Sequence, residues 1–395
     1  MLSLIIPTYN EAQNIRPLVQ RVISTLKKVV DSFEVVIVDD NSPDHTWKIA
    51  QELAKAEPCL RVIRRLDERG LATAVVAGWK AAKGEILGVM DGDLQHEPET
   101  LEKLVRAIST TPADIVIASR NVKGGGVSDW NLLRRSISWG ATCLATFVIP
   151  GILRNVSDPM SGYFLLRRSV IGSARLEPTG YKILLEVLAK GSYRAVREIP
   201  YIFEERKDSK SKLGVKQYWE YLLHLARLAR QTGELDRLLR FCTVGVSGIV
   251  TNQTTLWFLT ARAGMYYIHS SIGAVEVAII SNFILNEFWT FRDRANLSMG
   301  IWKRFSRLLQ FNLICAVGGI LNTISLWMLT EWVGVDYLLS NLIGIGISTI
   351  WNYGINANIT WGTRIALQVR TTDSVSLDVA DLSDRKTVDG ERSIL

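Results

Sequence analysis

Asp91 and Asp93 stand two residues apart at the end of the apolar run Ile86 to Met90, and Gln95 follows two residues later. Carboxylate and amide oxygens are hard donors, suited to Mg²⁺ or Mn²⁺ held jointly with a phosphate-bearing substrate. The apolar run reads as a central strand of a parallel sheet, and in open α/β sheets ligands collect outside the carboxyl ends of such strands. Taken alone, the pattern fits a solvated Asp-Gly turn equally well. Two more loops shift the balance. Pro7-Thr8-Tyr9-Asn10-Glu11 closes a first strand, and Val38-Asp39-Asp40-Asn41-Ser42-Pro43-Asp44 closes a second. Three polar strand ends on one sheet edge form a cleft where a carboxylate can hydrogen-bond a base or ribose while Asp91 and Asp93 hold a metal diphosphate.

These loops need elements to place them. From Met1 to about Gly233, short β-branched runs alternate with helical stretches. Strands are expected at Leu2 to Ile6, Glu34 to Val38, Arg61 to Ile63, Ile86 to Met90 and Ile115 to Ala118. Helices are expected at Ala12 to Val30, Asp44 to Ala56, Leu71 to Ala82 and Pro98 to Ser109, with Asp44 and Glu97 near helix starts where acids are favoured. The alternation predicts an α/β domain whose mostly parallel sheet is covered on both faces. Next, Lys216 to Arg230 sets Tyr218, Trp219, Tyr221, Leu222 and Leu225 against Lys216, Arg227 and Arg230. This is an amphipathic helix, suited either to lipid headgroups or to packing on the soluble domain. Leu297 to Leu309 is a second candidate of this kind.

Hydrophobic residues make up 48% of the 395 positions and concentrate in the C-terminal half. Phe241 to Ala261, Phe311 to Thr330 and Leu338 to Thr363 carry few charges, and Ile268 to Phe291 is interrupted by Glu276 and Glu287. About 20 apolar residues cross a bilayer, so four membrane-spanning helices are expected. Arg237, Arg240, Arg292, Arg294, Lys303, Arg304, Arg307 and Arg364 flank one side, against Arg262 on the other. By the positive-inside rule the N-terminal domain, the middle linker and the C-terminus face the cytoplasm. The first residues, Met1 to Pro7, lack the basic flank of a signal peptide and read as a strand. The expected domains are therefore 1–233, 234–364 and a polar, disordered tail over 365–395.

The net charge of +7 does not come from that tail, since Arg370 to Leu395 holds four basic and six acidic residues. The basic excess lies near the membrane and the acidic cleft. Anionic headgroups and phosphorylated substrates explain it better than nucleic acid, for which no aromatic-basic stacking platform appears. Cys59, Cys143, Cys242 and Cys315 are scattered, without metal-ligand spacing, and suggest a reduced compartment.

The apolar half repeats itself. A shift of 70 residues superposes Phe241 on Phe311, Gly248 on Gly318, Asn252 on Asn322, Trp257 on Trp327, Asn282 on Asn352 and Thr290 on Thr360. A helical hairpin is thus used twice in one orientation. Gly245, Gly248, Gly318 and Gly319 permit close helix approach, and the asparagines offer hydrogen bonds between helices. Glu276 is an acid within a span, either functional or near enough the outer interface to reach water.

The chain resembles the family-2 inverting glycosyltransferases with a GT-A fold, and within them the dolichol-phosphate mannose synthases. The resemblance is carried by Pro7-Thr8-Tyr9-Asn10-Glu11, Val38-Asp39-Asp40, Arg69-Gly70-Leu71, Asp91-Gly92-Asp93-Leu94-Gln95-His96, Ser119-Arg120, Asp158-Pro159-Met160-Ser161-Gly162-Tyr163 and Ser211-Lys212-Leu213. It implies transfer of mannose from GDP-mannose to dolichyl or another polyprenyl phosphate, with inversion, giving a β-linked product. It also implies site residues. Pro7, Tyr9, Glu11, Asp39, Asp40, Asp91 and Gly92 would bind the nucleotide sugar, joined by Arg206 and Lys212 from a mobile loop. Asp91, Asp93 and Gln95 would hold Mg²⁺ or Mn²⁺, with Asp93 catalytic. Arg120, Arg134 and Ser138 would bind the acceptor phosphate, both arginines sharing in catalysis. The chain departs from the family where Ser209 replaces a glycine before Ser211-Lys212-Leu213 and where Ala72-Thr73 follows Gly70-Leu71.

An arginine fork stays charged when desolvated and matches phosphate oxygens, in accord with those roles, although a surface ion pair would equally explain each arginine. A lipid phosphate is already ionised near neutrality, so no enzyme base is required and no histidine is expected to be essential, His96 included. A UDP-glucose or UDP-aminosugar transferase is the nearest alternative. A lipid-linked sugar transporter is a more distant one. A processive polysaccharide synthase is disfavoured because no Gln-x-x-Arg-Trp sequence occurs.

Overall fold

The computed structural model describes residues 1–128, 132–150, 156–177, 182–203, 215–295 and 300–362, with side chains from 135 and 218 onward in the helices that open the second and fifth of these stretches. Arg206, Lys212, the side chain of Arg134 and the tail lie outside the described residues.

The N-terminal half alternates strand and helix: β1 (Leu2–Thr8), α1 (Ile15–Val29), β2 (Phe33–Asp39), α2 (Thr46–Ala56), β3 (Leu60–Arg64), α3 (Leu71–Ala81), β4 (Ile86–Val89), α4 (Thr100–Thr110) and β5 (Ile115–Ser119). After β6 (Gly126–Val127) come α5 (Leu132–Val148), β7 (Phe164–Arg167), α6 (Ile183–Lys190), β8 (Val196–Pro200) and β9 (Ile202–Phe203). Seven strands form one sheet in the order β3-β2-β1-β4-β7-β5-β8. Only β7 runs against its neighbours β4 and β5. Every residue of β1 is buried, as parallel strands covered on both faces require. In α1 the buried side chains Ile15, Leu18, Val19, Val22, Ile23 and Leu26 recur at helical spacing and form one stripe. Two apolar clusters sandwich the sheet, one under α1 and α4, the other under α3, α5 and α6.

The five expected strands and four expected helices are present. β7, β8, α5 and α6 were not anticipated. β7 is four residues long, too short for its alternation to register, and it enters a gap that only tertiary pairing defines.

Helix α7 (Val215–Gln231) leads through Gly233, at φ 74°, into α8 (Glu234–Ala261). Then follow α9 (Tyr267–Leu285), α10 (Ile301–Trp327) and α11 (Tyr337–Ile355), each closed by a five-residue π-helical turn. α8 packs on α9 and α10 on α11. Two of these helices, Tyr267–Thr290 and Ile301–Trp332, are long and apolar enough to cross a membrane, and within the second only 6% of the most apolar window is buried. A soluble core helix would bury that surface, so its complement is lipid. Asn252 and Gln253 make α8 more polar along an otherwise spanning length.

α7 divides its faces. Tyr221, Leu225 and Leu228 are buried against the α/β domain, while Trp219, Leu222 and Leu223 are exposed. The packing expectation is met on the first face, and the second leaves an exposed apolar surface. The second amphipathic candidate is not separate: from Ile301 it is the N-terminal part of α10, continuous with the span.

The internal repeat has a physical counterpart. A Cβ on Gly248 would come within 2.4 Å of the Asn282 amide, and one on Gly318 within 2.4 Å of the Asn352 amide. Each hairpin seats an asparagine in a notch that only glycine leaves open. Gly245 and Gly319, expected to share this duty, have nothing within 4 Å. Gly318→Leu is therefore expected to cost about 1–3 kcal/mol through overpacking, seen as a lower Tm in detergent, with Gly319→Leu close to wild type.

Candidate active site

β1 and β2 pair in register so that Thr8 lies opposite Asp39. The Asp39 carboxylate accepts from the Thr8 hydroxyl at 2.8 Å, the Ser42 amide at 2.8 Å and the Ser42 hydroxyl at 2.7 Å. It is fully buried. Asp39 therefore lies beneath the cleft as a clamp on two strand ends, and not on its wall as expected. Asp40 is on the wall. Its carboxylate accepts both Nε and Nη2 of Arg65 and, at 2.7 Å, the Gly70 amide. Gly70 has φ 137°, a conformation that L side chains rarely adopt, so glycine is needed where the chain turns into α3.

β4 delivers the third loop. The Asp91 amide donates to His96 Nδ1 at 3.1 Å, and Asp93 Oδ1 accepts the Gln95 amide at 3.1 Å. Leu94 turns the chain between them at φ 62°. The result is a cavity of about 190 Å³ walled by Pro7, Tyr9, Glu11, Asp40, Asp91 and Asp93, with Thr8, Leu71 and Gly92. Of the expected nucleotide residues, Pro7, Tyr9, Glu11, Asp40, Asp91 and Gly92 are brought together. Gln95 is buried and is not among the wall residues.

Among the described residues no cluster of three or more His, Cys, Asp or Glu is placed to hold a metal. The cavity instead presents the two carboxylates of Asp91 and Asp93. Mg²⁺ characteristically binds through one or two carboxylates together with substrate phosphates and water, so this donor set fits a divalent cation that arrives with its substrate.

His96 was given no role in the sequence reading. It is buried, stacked on Tyr163 with ring centroids 5.0 Å apart, and edge-on to Tyr201 and Phe203. Desolvation lowers its pKa to about 4, against a smaller opposing pull from Asp93. The ring is neutral at physiological pH, with Nδ1 engaged by the Asp91 amide. It supports the acidic loop and is unsuited to act as a base.

Arg120 follows β5 directly. Its Nε and Nη2 each lie 2.7 Å from the Asp158 carboxylate, which also accepts the Arg120 amide at 3.1 Å. Burial alone would raise the Asp158 carboxyl; the Arg120 fork outweighs it and holds the carboxyl below its ordinary range. Burial likewise opposes the Arg120 charge, and the Asp158 bonds raise its pKa further above normal. Arg120 also lines a second cavity of about 930 Å³, whose walls include Arg135, Ser138 and Phe147 from α5 and Ile355 and Asn358 from α11 and its π turn. Ser138 is thus brought to Arg120. Arg135, not anticipated, is there as well.

A family model for glycosyl transferase family 2 matches residues 3–173, and one for the GtrA/DPMS transmembrane domain matches residues 240–361. A dolichol-phosphate mannosyltransferase of Pyrococcus furiosus is 44% identical over 92% of this chain and 99% of its own length. The chain belongs to the dolichol-phosphate mannosyltransferase family. The family's Saccharomyces cerevisiae member is 36% identical over 57% of this chain and 86% of its own. Among solved structures, mannosyl-3-phosphoglycerate synthase of Rubrobacter xylanophilus is 18% identical with a TM-score of 0.46, covering 59% of this chain and 75% of that one. This family member is a glycosyltransferase with a membrane domain.

Within the transferase, Asp158 is the residue that sequence reasoning quoted inside a motif without giving it a task. Removing it by Asp158→Ala strands a buried guanidinium, expected to cost about 3–5 kcal/mol and to appear as a lower Tm. The depressed carboxyl also sets a pH dependence. Its stabilising contribution is in place above the ordinary carboxylate value of 3.8 and is lost as pH falls through the lower folded value. Thermal scans from pH 5 down to 2 should show this acid loss in the wild type and a weaker one in Asp158→Asn.

Proposed function

We propose that this family member transfers mannose from GDP-mannose to dolichyl phosphate with inversion at the anomeric carbon, at the cytoplasmic face of a multi-pass membrane domain. Residues 1–233 form the catalytic unit and 234–364 the membrane unit, the four helices α8 to α11 each crossing the bilayer. The observation that carries the reading is the pairing of two cavities: an acidic one at three strand ends, sized for part of a nucleotide sugar, and a larger one between α5 and the membrane helix α11 with Arg120 on its wall. Adjacency of the two sites is supported by the 158–162 segment, whose Asp158 holds Arg120 and whose Gly162 backs Asp91.

The chemistry follows from the charges. Pro7, Tyr9, Glu11 and Asp40 receive the nucleoside. Asp91 and Asp93 would hold Mg²⁺ or Mn²⁺, which when bound supplies Lewis-acid stabilisation of the departing nucleoside diphosphate. The lipid phosphate arrives as an anion, so its oxygen attacks without an enzyme base. Arg120, with Arg134, Arg135 and Ser138 on α5, orients that oxygen in line with the donor. Ile355 and Asn358 line the part of the second cavity where the first prenyl units would lie.

Sugar transfer by detergent-purified protein tests this, comparing GDP-mannose with UDP-glucose on dolichyl phosphate, with Mn²⁺, Mg²⁺ or chelator. Mannosyl transfer that needs a divalent ion is expected, falling on the order of 10²–10³-fold in Asp93→Ala as a fixed electrostatic contribution is removed. Transfer from UDP-glucose alone would keep the mechanism and replace the donor; no transfer from either would refute the reading. Ile355→Trp should raise the KM for dolichyl phosphate several-fold and leave that for GDP-mannose unchanged, a split measurable in the same assay.

A further inference from the structure

Lys182, immediately before α6, donates a hydrogen bond from Nζ to the Met160 carbonyl at 3.0 Å. Met160 lies in a short segment that touches both halves of the site. On its N-terminal side Asp158 holds the Arg120 fork. On its C-terminal side Gly162 backs Asp91 so closely that a Cβ there would sit 2.9 Å from Asp91 Oδ2. Ser161 ties the segment to β5 through a 2.7 Å bond to the Ala118 carbonyl. The Lys182 ammonium is drawn deep enough that desolvation, followed by repulsion from Arg120, lowers its pKa to about 8. A desolvated ammonium is costly unless it is hydrogen-bonded, which makes the Met160 carbonyl a firmly held partner of Lys182. Nothing in the spacing of the sequence around Lys182 marks it.

We propose that Lys182 is a positioning residue for glycosyl transfer: by holding the Met160 carbonyl it sets the height of the 158–162 segment, and with it the seat of Arg120 on the acceptor side and of Asp91 on the donor side. The proposal rests on the transfer reaction argued above. It assigns Lys182 no contact with substrate. One hydrogen bond thereby couples the two cavities, because a shift of the segment moves both charged groups together.

The test uses the full chain in detergent with GDP-mannose, dolichyl phosphate and Mn²⁺. Lys182→Met removes the donor at similar length; Lys182→Gln keeps a neutral donor of slightly shorter reach. The expected result is a loss of at least tenfold in kcat/KM for dolichyl phosphate in Lys182→Met, with Tm within two or three degrees of wild type. Lys182→Gln should recover to within threefold of wild type. Mn²⁺ binding in the presence of GDP, read by electron paramagnetic resonance, should weaken in Lys182→Met and return in Lys182→Gln. A value for Lys182→Met within twofold of wild type, or equal losses in both variants, would overturn the proposal. Should Lys182→Met not fold, Lys182→Thr, too short to reach Met160 and tolerable at a partly exposed position, replaces it under the same criteria. If the wild-type protein transfers no sugar, the reaction reading fails separately, and Mn²⁺ binding alone decides Lys182: weakened and restored supports it, unchanged overturns it.

Discussion

Asp158 has no exposed surface, and a carboxylate in that position must be matched by charge and by hydrogen bonds or it will not stay ionised. Arg120 matches it from the end of β5 with both arms of its fork and its own amide. The bond does more than neutralise a charge. It fixes the direction of the guanidinium of Arg120, a residue that lines the cavity beside α5. It also ties the segment that backs Asp91 to the strand that carries Arg120. A long flexible arginine is thereby made into a rigid part, which in-line displacement needs because rate depends steeply on alignment of the attacking oxygen.

The pairing tempers a simple picture of the acceptor site. An arginine already bound to a carboxylate is a weaker phosphate trap than a solitary one, since most of its field is cancelled nearby. Arg135 and the helix that bears it restore positive charge on the outer wall. On the proposed reading the arrangement would separate two tasks, with Arg120 supplying direction and Arg135 attraction. α5 can do this because Phe147 packs against Gly354 of α11, where any larger residue would collide. The membrane helix thus takes part in building the wall of the second cavity, and the N-terminal domain does not merely hang from an anchor.

Much of this was legible in the sequence. The strand-end loops Pro7 to Glu11, Val38 to Asp44 and Asp91 to Asp93 announced the acidic cavity, because parallel strands put their carboxyl ends on one edge whatever their order. The repeat predicted that Gly248 and Gly318 would do the same work, and they do. What escaped was non-local. Asp39 and Asp40 are adjacent and chemically identical, yet side-chain alternation along β2 buries one under Thr8 and Ser42 and turns the other to the cavity; only the register with β1 decides which. β7 is too short to be periodic, and its antiparallel entry brings Gly162 over Asp91. His96 lies beside the acidic motif in sequence, but its packing against three aromatic rings is set by residues distant in the chain.

The same reasoning explains why the polar groups of the membrane half resisted assignment. Glu287 reads in sequence as one of two acids interrupting a span. In the structure it is buried, accepting both Arg307 at 2.6 and 2.8 Å and the Trp361 indole at 2.6 Å. Glu234, at the start of α8, is likewise gripped by Arg237 and Arg294 and by the Tyr353 hydroxyl. Both acids lie at the end of the bundle nearest the catalytic domain, and each joins one hairpin to the other. Glu276 differs from them: it lies within α9 and is exposed. Acids at the end of the bundle nearest the N-terminal domain are satisfied by the arginines that flank the helices on that side, so these flanking charges also supply the ion pairs that lock one hairpin to the other.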